Sequence, residues 1–472
     1  MRKKAVGVVI LVCLLMMLVV GNVFAWNLRD ASAPYRGKTI RVSAMAGYEW
    51  NELTAKIAPI FEAITGIKVV FDFVTYGEIV EKHMIELASG TNVHDLYDVD
   101  TPYLAQHVSF MVPIDSFMKN SKLADPEMKM EDFYQGALDG LKYEEKLYSF
   151  PQMYCFPALF YRTDLFEEYG IAAAPKTSEE YYQIAKKLTL DLNGDGKPEI
   201  YGTTISGSRT GIGDEIYTRF WGMGASLFDD YMRPTFKKGG VYYDKMVQVL
   251  RHYQKLYTEG YAPPGSTDYE IGEVTGAFSS GLTAMAWNWS ICGAQFADPA
   301  RSPKIYGKWA AALLPRDNPQ VKKWHRQGLK GMMINKFSPK DIQEAAYLFI
   351  QWNSSPLMSY VLAKMGDTTP FRRSILESPA LKDMYPHWSI HREVFQNGYD
   401  RLVPYIPEWS ECEDIMARPF QSCMIGKMTP EEAADRAAKD LEEMLKVKGY
   451  YEAGKKYRSA DGTYPVWLTG NY

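Results

Sequence analysis

Asp191-Leu192-Asn193-Gly194-Asp195-Gly196-Lys197-Pro198-Glu199 sets side-chain oxygens at loop positions 1, 3 and 5, glycine at 6 and a glutamate at 9. That spacing opens an EF-hand-like calcium loop, in which oxygen donors surround a hard cation and the glycine makes the sharp turn. Asp191, Asn193, Asp195, Lys197 and Glu199 are its candidate ligands. Position 12 is Gly202 instead of the bidentate glutamate, so calcium would need a further carboxylate from elsewhere in the fold. A plain Asp/Asn/Gly turn between a helix and a strand explains the same residues. On either reading the loop's role is structural, and no cofactor is required beyond this optional calcium ion.

Catalytic chemistry has weaker support. Glu49 and Asp100 would serve as the acid and base of a secreted glycoside hydrolase. Yet the chain has no nucleophile elbow and no His-Glu-x-x-His, its seven histidines are dispersed, and no glycine-rich phosphate loop ends in Lys-Ser or Lys-Thr. The expectation is therefore a protein that is not an enzyme and does not itself hydrolyse ATP. Aromatic residues form 14% of the chain, with eleven tryptophans. Most of these must serve packing, so a ligand role falls to only a few.

The elements that would position such residues follow from periodicity. Ile40, Val42 and Ala44 alternate as in a strand; Trp50, Leu53, Ile57, Ile60, Phe61 and Ile64 then recur at helical spacing until Gly66, with a kink expected at Pro59. Ile67, Val69, Phe71 and Phe73 alternate again. A second helical face runs from Tyr76 to Leu87, ahead of an apolar stretch at Leu96 to Val99. Strand, helix, strand, helix, strand predicts an α/β layer with a mostly parallel sheet. Thr177 with Glu180, Ser338-Pro339 with Asp341, and Thr429-Pro430 with Glu432 read as helix starts with capping side chains.

Met1-Arg2-Lys3-Lys4, an apolar run from Ala5 to Val20, and Val23-Phe24-Ala25 read as a signal peptide over residues 1–25. Cleavage after Ala25 would send the protein to the periplasm or cell exterior. Loss of Arg2, Lys3 and Lys4 from 53 basic residues leaves 50 against 57 acidic ones, a net charge of −7, which makes nucleic acid an unsuitable partner. The remaining chain exceeds what one core normally supports, so two domains are expected. Cys155, Cys292, Cys412 and Cys423 read as buried thiols. Eleven residues apart on one predicted helix, Cys412 and Cys423 stand about 16 Å apart, too far to bond.

Several segments together resemble the family 1 extracellular solute-binding proteins, the group that includes the maltose-binding protein. Phe61-Glu62-Ala63-Ile64-Thr65-Gly66-Ile67-Lys68-Val69 is similar to the family's first helix and second strand. Tyr148-Ser149-Phe150-Pro151, Leu159 to Phe166, and Tyr169-Gly170-Ile171 are similar to its crossover between domains. Ala277 to Met285 is similar to its Phe-x-x-Gly-x-x-Ala-Met segment, with Leu282 where a lysine is frequent, and Gly426 with Thr429 to Ala433 to its C-terminal helix start. The resemblance implies a two-domain α/β periplasmic-binding-protein fold of type II, with mixed sheets flanked by helices, a multi-strand hinge and an interdomain cleft. It implies lobes of 26–150 with roughly 290–345, and of 151–289 with roughly 346–472, late helices packing across the hinge. It implies a monomer that captures a carbohydrate and delivers it to the inner-membrane permease subunits of an ABC importer. A polyamine, peptide or iron ligand is the alternative.

Sugars offer hydroxyls at the ring edge and C–H patches on each face, so their sites combine aromatic planes with carboxylates and amides. In the family, as in open α/β sheets generally, contacts come from the C-terminal ends of strands. On that basis Glu49 and Trp50 follow the first strand, and Asp100 and Tyr103, with Asp98, the third. Gln152, Tyr154 and Phe156 lie in the crossover, and Trp287, Asn288 and Trp289 follow the Ala-Met segment. Lys330 and Gly331 resemble the strand bordering the cleft, and Tyr405, Trp409 and Glu411 the late segment that closes it. Arg209 is the first residue to consider for a phosphorylated sugar.

Overall fold

In the computed structural model, residues 26–451 are described, except 48, 367, 368, 383, 399 and 402. The signal peptide read over residues 1–25 lies outside the described residues. Strand β1 (Thr39–Met45) buries Ile40, Val42, Ala44 and Met45, and helix α1 (Glu49–Thr65) returns the chain to β2 (Lys68–Val74), parallel to β1. Pro59 lies inside α1, and Gly66 ends it at a φ of +73°, where only glycine avoids both strain and the Arg36 side chain. Helix α2 (Tyr76–Ala88) leads to β3 (Leu96–Asp100), which runs parallel to the other side of β1. This is the parallel layer that the alternation predicts.

After β4 (Met111–Val112) the chain reaches β5 (Met153–Cys155) and, with only Phe156 between, β6 (Pro157–Arg162). These two strands belong to different sheets, so the crossover occurs at Phe156. Helices α3 (Ser178–Lys187), α4 (Ile212–Gly222), α5 (Tyr243–Thr258) and α6 (Ile271–Ser279) precede β7 (Met285–Trp289) and β8 (Trp309–Ala312). The chain then crosses back into β9 (Gly328–Asn335), followed by α7 (Lys340–Asn353), α8 (Trp409–Met424) and α9 (Pro430–Val447).

The first sheet runs β2-β1-β3-β9-β4, with β5 alongside the start of β9; the second runs β8-β6-β7. Strand β9 is antiparallel to β3 in a register that sets Lys330 opposite Asp100. All eight residues of β9 and all five of β7 are buried. Helix α8 packs against α4, α5 and α9. No helix among the described residues is long and apolar enough to cross a membrane.

Lobe membership differs from the expected ranges in two places. Trp309–Ala312 pairs antiparallel with Pro157–Arg162, which puts it in the second sheet. Helix α7 instead covers the first sheet, with Phe349 edge-on to Phe61 at 5.2 Å. Thr177 and Thr429 cap their helices, the latter in a reciprocal capping box with Glu432. Ser338 does not cap: its hydroxyl donates to Asp95 at 2.7 Å, and Pro339 stands at the cap. The four cysteines among the described residues, Cys155, Cys292, Cys412 and Cys423, are buried free thiols, and the last two share α8.

Candidate functional site

Four helices begin at one place between the two sheets. Trp50 in the first turn of α1, Tyr76 of α2, Gly211 and Asp214 of α4, and Ile271 to Glu273 of α6 line a common cavity of about 210 Å³. Helix starts expose unbonded N–H groups and the positive end of the helix dipole, which favours electron-rich oxygen atoms. The first sheet contributes Asp100 at the end of β3, Met153 and Cys155 of β5, and Gly328 and Lys330 of β9, with Arg326 and Gln327 just ahead. The second sheet contributes Trp287 and Trp289 of β7.

Strand geometry decides which side chains face the cavity. Trp287 and Trp289 are two apart on β7 and therefore share a face; their rings meet edge-on at 6.1 Å. Lys330 and Asp100 are register partners, and the ammonium stands 3.4 Å from the carboxylate. That ammonium also lies over the rings of Trp50 at 5.3 Å and Tyr76 at 5.1 Å. On the other side Arg326 pairs with Asp214 of α4 and, at 3.6 Å, with Glu413 of α8, and stacks over Trp289 at 5.4 Å. Burial raises the Glu413 carboxyl pKa, and Arg326 opposes that rise.

Four buried polar atoms of this wall have no hydrogen-bond partner among the described residues: Asp100 Oδ1, Trp287 Nε1, Arg326 Nε and Gln327 Oε1. Unmatched buried polar atoms are rare in folded proteins because each forfeits its hydration. With the carboxylates of Asp214, Glu270 and Glu273 and the Lys330 ammonium they make the wall of this aromatic cavity polar.

Of the residues expected from sequence, Trp50, Asp100, Trp287, Trp289 and Lys330 line the cavity. Tyr103 lies behind Tyr76 and hydrogen-bonds to it; burial raises both phenol pKa values. Asp98 accepts from the Asn51 amide at 2.6 Å and from Met45 N at 3.3 Å, which fastens the start of α1 to β3 and sets Trp50 in place.

The others stand elsewhere. Glu49 pairs with Arg301 at the surface, and Arg209 with Asp414. Gln152 holds Ser354 and Asn353 in the core. Tyr154 and Phe156 pack around Phe395 and His391. Asn288 donates to Thr275 at 2.9 Å, and Gly331 leaves room for Ser149, which a Cβ would approach to 2.7 Å. Tyr405 donates to Gly140 O, Trp409 packs on Tyr217, and Glu411 pairs with Lys448 on the surface. Tyr76, Asp214, Arg326 and Gln327 are absent from the sequence-based set. Tyr76 follows β2, so the strand-end rule reaches it, whereas Arg326 and Asp214 meet only through tertiary structure.

Away from the cavity, Asp191, Asp195 and Glu199 bring carboxylate oxygens within 4.8 Å of one another. Gly194 and Gly196 turn the loop at positive φ, and Asp191 accepts from their N–H groups at 2.7 and 2.8 Å. Asn193 contacts Glu199, and Asp195 accepts from Lys197 N. The oxygen set suits a hard cation.

Comparison with known proteins decides the family. The sequence model described as bacterial extracellular solute-binding protein matches residues 44–356, well over half of the chain. The chain belongs to the bacterial extracellular solute-binding proteins. A probable amino-acid ABC transporter periplasmic-binding protein of Sinorhizobium fredii is 26% identical over 430 residues, 89% of this chain and 93% of its own. The mannitol-binding protein of Pseudomonas aeruginosa is 24% identical over 344 residues, 68% of this chain and 74% of its own. An ABC transporter solute-binding protein of Agrobacterium radiobacter, solved with ribitol, matches with a TM-score of 0.77 and 25% identity, covering 87% of this chain and 99% of its own. Two α/β lobes around a cavity are thus the architecture of a solute-binding family member.

Proposed function

We propose that this protein is the substrate-binding component of an ABC importer, capturing a carbohydrate (a mono- or oligosaccharide or a polyol) and delivering it to membrane permease subunits. The observation that carries the reading is the cavity wall itself. Trp50, Trp287 and Trp289 offer planes for C–H faces, and the polar residues Asp100, Glu270, Arg326 and Gln327 line the same cavity, with acceptors and donors of the kind that hydroxyls pair with. The polyols named for two of the relatives support the same chemistry. Capture without turnover is the function assigned, as the family is one of solute-binding proteins. Residues 1–25 direct export, and mass spectrometry of the secreted chain should find Trp26 at its N-terminus.

A thermal-shift screen against saccharides, polyols, amino acids, polyamines and short peptides tests the reading. A ligand at 100 times its Kd stabilises by about 2.7 kcal/mol, a shift of several degrees. Response to a carbohydrate alone is expected; response only to an amino acid, polyamine or peptide contradicts the assignment. In the Asp191 loop we propose a structural calcium ion, held by side-chain oxygens of Asp191, Asn193, Asp195 and Glu199 and the main-chain carbonyl of Lys197. Calcium should raise the melting temperature of the wild type and not of Asp195→Ala; equal response in both contradicts it.

A further inference from the structure

Arg326, Gly328 and Lys330 alternate along the segment that carries the chain back into the first sheet, and all three line the cavity. Alternate positions of an extended segment share a face. Lys330 meets the first sheet there, 3.4 Å from Asp100. Arg326 meets the helices of the other side, where Asp214 of α4 and Glu413 of α8 both face its guanidinium. The ring of Trp289 is wedged against the same segment: the Arg326 guanidinium lies over it at 5.4 Å, and a Cβ on Gly328 would approach it to 2.7 Å. We propose that Asp214 and Glu413 are positioning residues for binding, which together hold Arg326 over Trp289, and that Glu413 does so only while ionised. A planar guanidinium fork can serve two carboxylates at once, and here Nη1 meets Asp214 and Nη2 meets Glu413. Side chains locked in this way set the cavity wall before a ligand arrives. Trp289 lines the cavity whatever solute enters it, so the clamp does not depend on the carbohydrate reading.

Charge balance singles out Glu413. Asp100, Asp214 and Glu413 share two cations, Arg326 and Lys330. Lys330 serves Asp100 and Arg326 lies closer to Asp214, so Glu413, at 3.6 Å, is the carboxylate in excess. The other groups that face it are neutral: burial keeps the phenols of Tyr76, Tyr103 and Tyr217 and the thiol of Cys412 protonated. Asp414, next along α8, is held by Arg209 and Arg418. A proton that enters the cluster therefore settles on Glu413, whose carboxyl pKa burial already raises. Arg326 then keeps Asp214 alone, and its hold on Trp289 loosens.

The first test needs no ligand. Tryptophan emission is followed from about pH 8 to about pH 5, and the curve of Trp289→Phe in the same background is subtracted to isolate Trp289. The wild-type difference should show a transition, Glu413→Gln should show none, and Glu413→Asp should restore it. Arg326→Lys keeps the charge without the planar fork and should lose the transition too, a result that decides the matter even if Glu413→Gln does not fold. A flat wild-type difference, or a transition of wild-type size in Glu413→Gln or Arg326→Lys, overturns the clamp. Isothermal titration with D-mannitol extends the test to binding. The wild-type Kd should rise about threefold or more from about pH 8 to about pH 5, and that of Glu413→Gln by less than about 1.5-fold. Equal pH dependence in the two overturns the positioning role. Absence of D-mannitol binding at every pH weighs on the carbohydrate reading alone, and the emission titration still decides the clamp.

Discussion

Trp287 combines two uses in one side chain: its ring walls the cavity, and its indole nitrogen is buried there without a partner. Trp287→Phe keeps most of the plane and removes the N–H. A single neutral hydrogen bond is worth about 0.5–1.5 kcal/mol, so the carbohydrate Kd should rise roughly two- to tenfold with little change in the free protein's melting temperature. Lys330→Met is expected to behave differently. It leaves Asp100 unpaired in a buried wall, and both the stability of the free protein and its affinity should fall, by about 3 kcal/mol in unfolding free energy. Chemical denaturation of the two variants separates these outcomes. At this scale the sequence discloses residues that stand directly after strands or on them, such as Trp50, Asp100 and Trp287. Tyr76 obeys the same rule, but its place on an apolar helical face accounts for it equally well. Arg326 and Asp214 carry no local signal, because their pairing exists only once both sheets are assembled. Tyr405 and Trp409 show the converse: aromatic residues of suitable position that packing claims, Tyr405 in the core of the first sheet and Trp409 at the start of α8.

Helix α2 delivers Tyr76 to the cavity, and a buried hydrogen-bond chain ties the helix to β1. His107 Nδ1 donates to Tyr103 O at 2.8 Å, so its Nε2 accepts from His83 Nδ1 at 3.2 Å, and His83 Nε2 accepts from Ser43 at 3.0 Å. Both rings are therefore neutral. Burial holds His83 down to about 2 and His107 down to about 4. The unfolded chain takes up these protons first, near the ordinary histidine pKa of about 6.5. Stability from the pair is thus full above about 6.5 and falls as pH drops toward 4. Between pH 7 and pH 5 unfolding should become easier by roughly 2–4 kcal/mol from this pair. His107→Gln should flatten that part of the curve, measured by denaturant unfolding at each pH; an equally steep curve in the variant contradicts the assignment. Elements with one buried face were legible from their spacing, as β1, α1, β2 and α2 show. Strands β7 and β9 were not, because burial on both faces removes the polar alternation that marks a strand. The Ser338 hydroxyl had two physically equivalent outlets, and proximity to Asp95 decided between them.

On the scale of the whole molecule, the cavity exists because the chain passes between two sheets. Asp100 and Lys330 come from one sheet, Trp287 and Trp289 from the other, and Asp214 with Glu413 from helices α4 and α8. A ligand held first by one side and then by both stabilises the arrangement in which the sides are close, by no more than its differential affinity for the two arrangements. The boundary positions of the lobes were hidden in the sequence for the same reason: Trp309–Ala312 joins the second sheet through a pairing made with residues far away in the chain. The central claim is that a carbohydrate binds between these two sheets. Its most direct test is a titration of the carbohydrate that gives the largest thermal shift into wild type, Asp100→Ala and the double variant Trp287→Ala, Trp289→Ala, each verified as folded. Loss of at least about 100-fold in affinity in both variants is the result predicted, since each removes contacts from one side of the cavity. Affinity unchanged from wild type in both would contradict it and place the ligand elsewhere on the molecule.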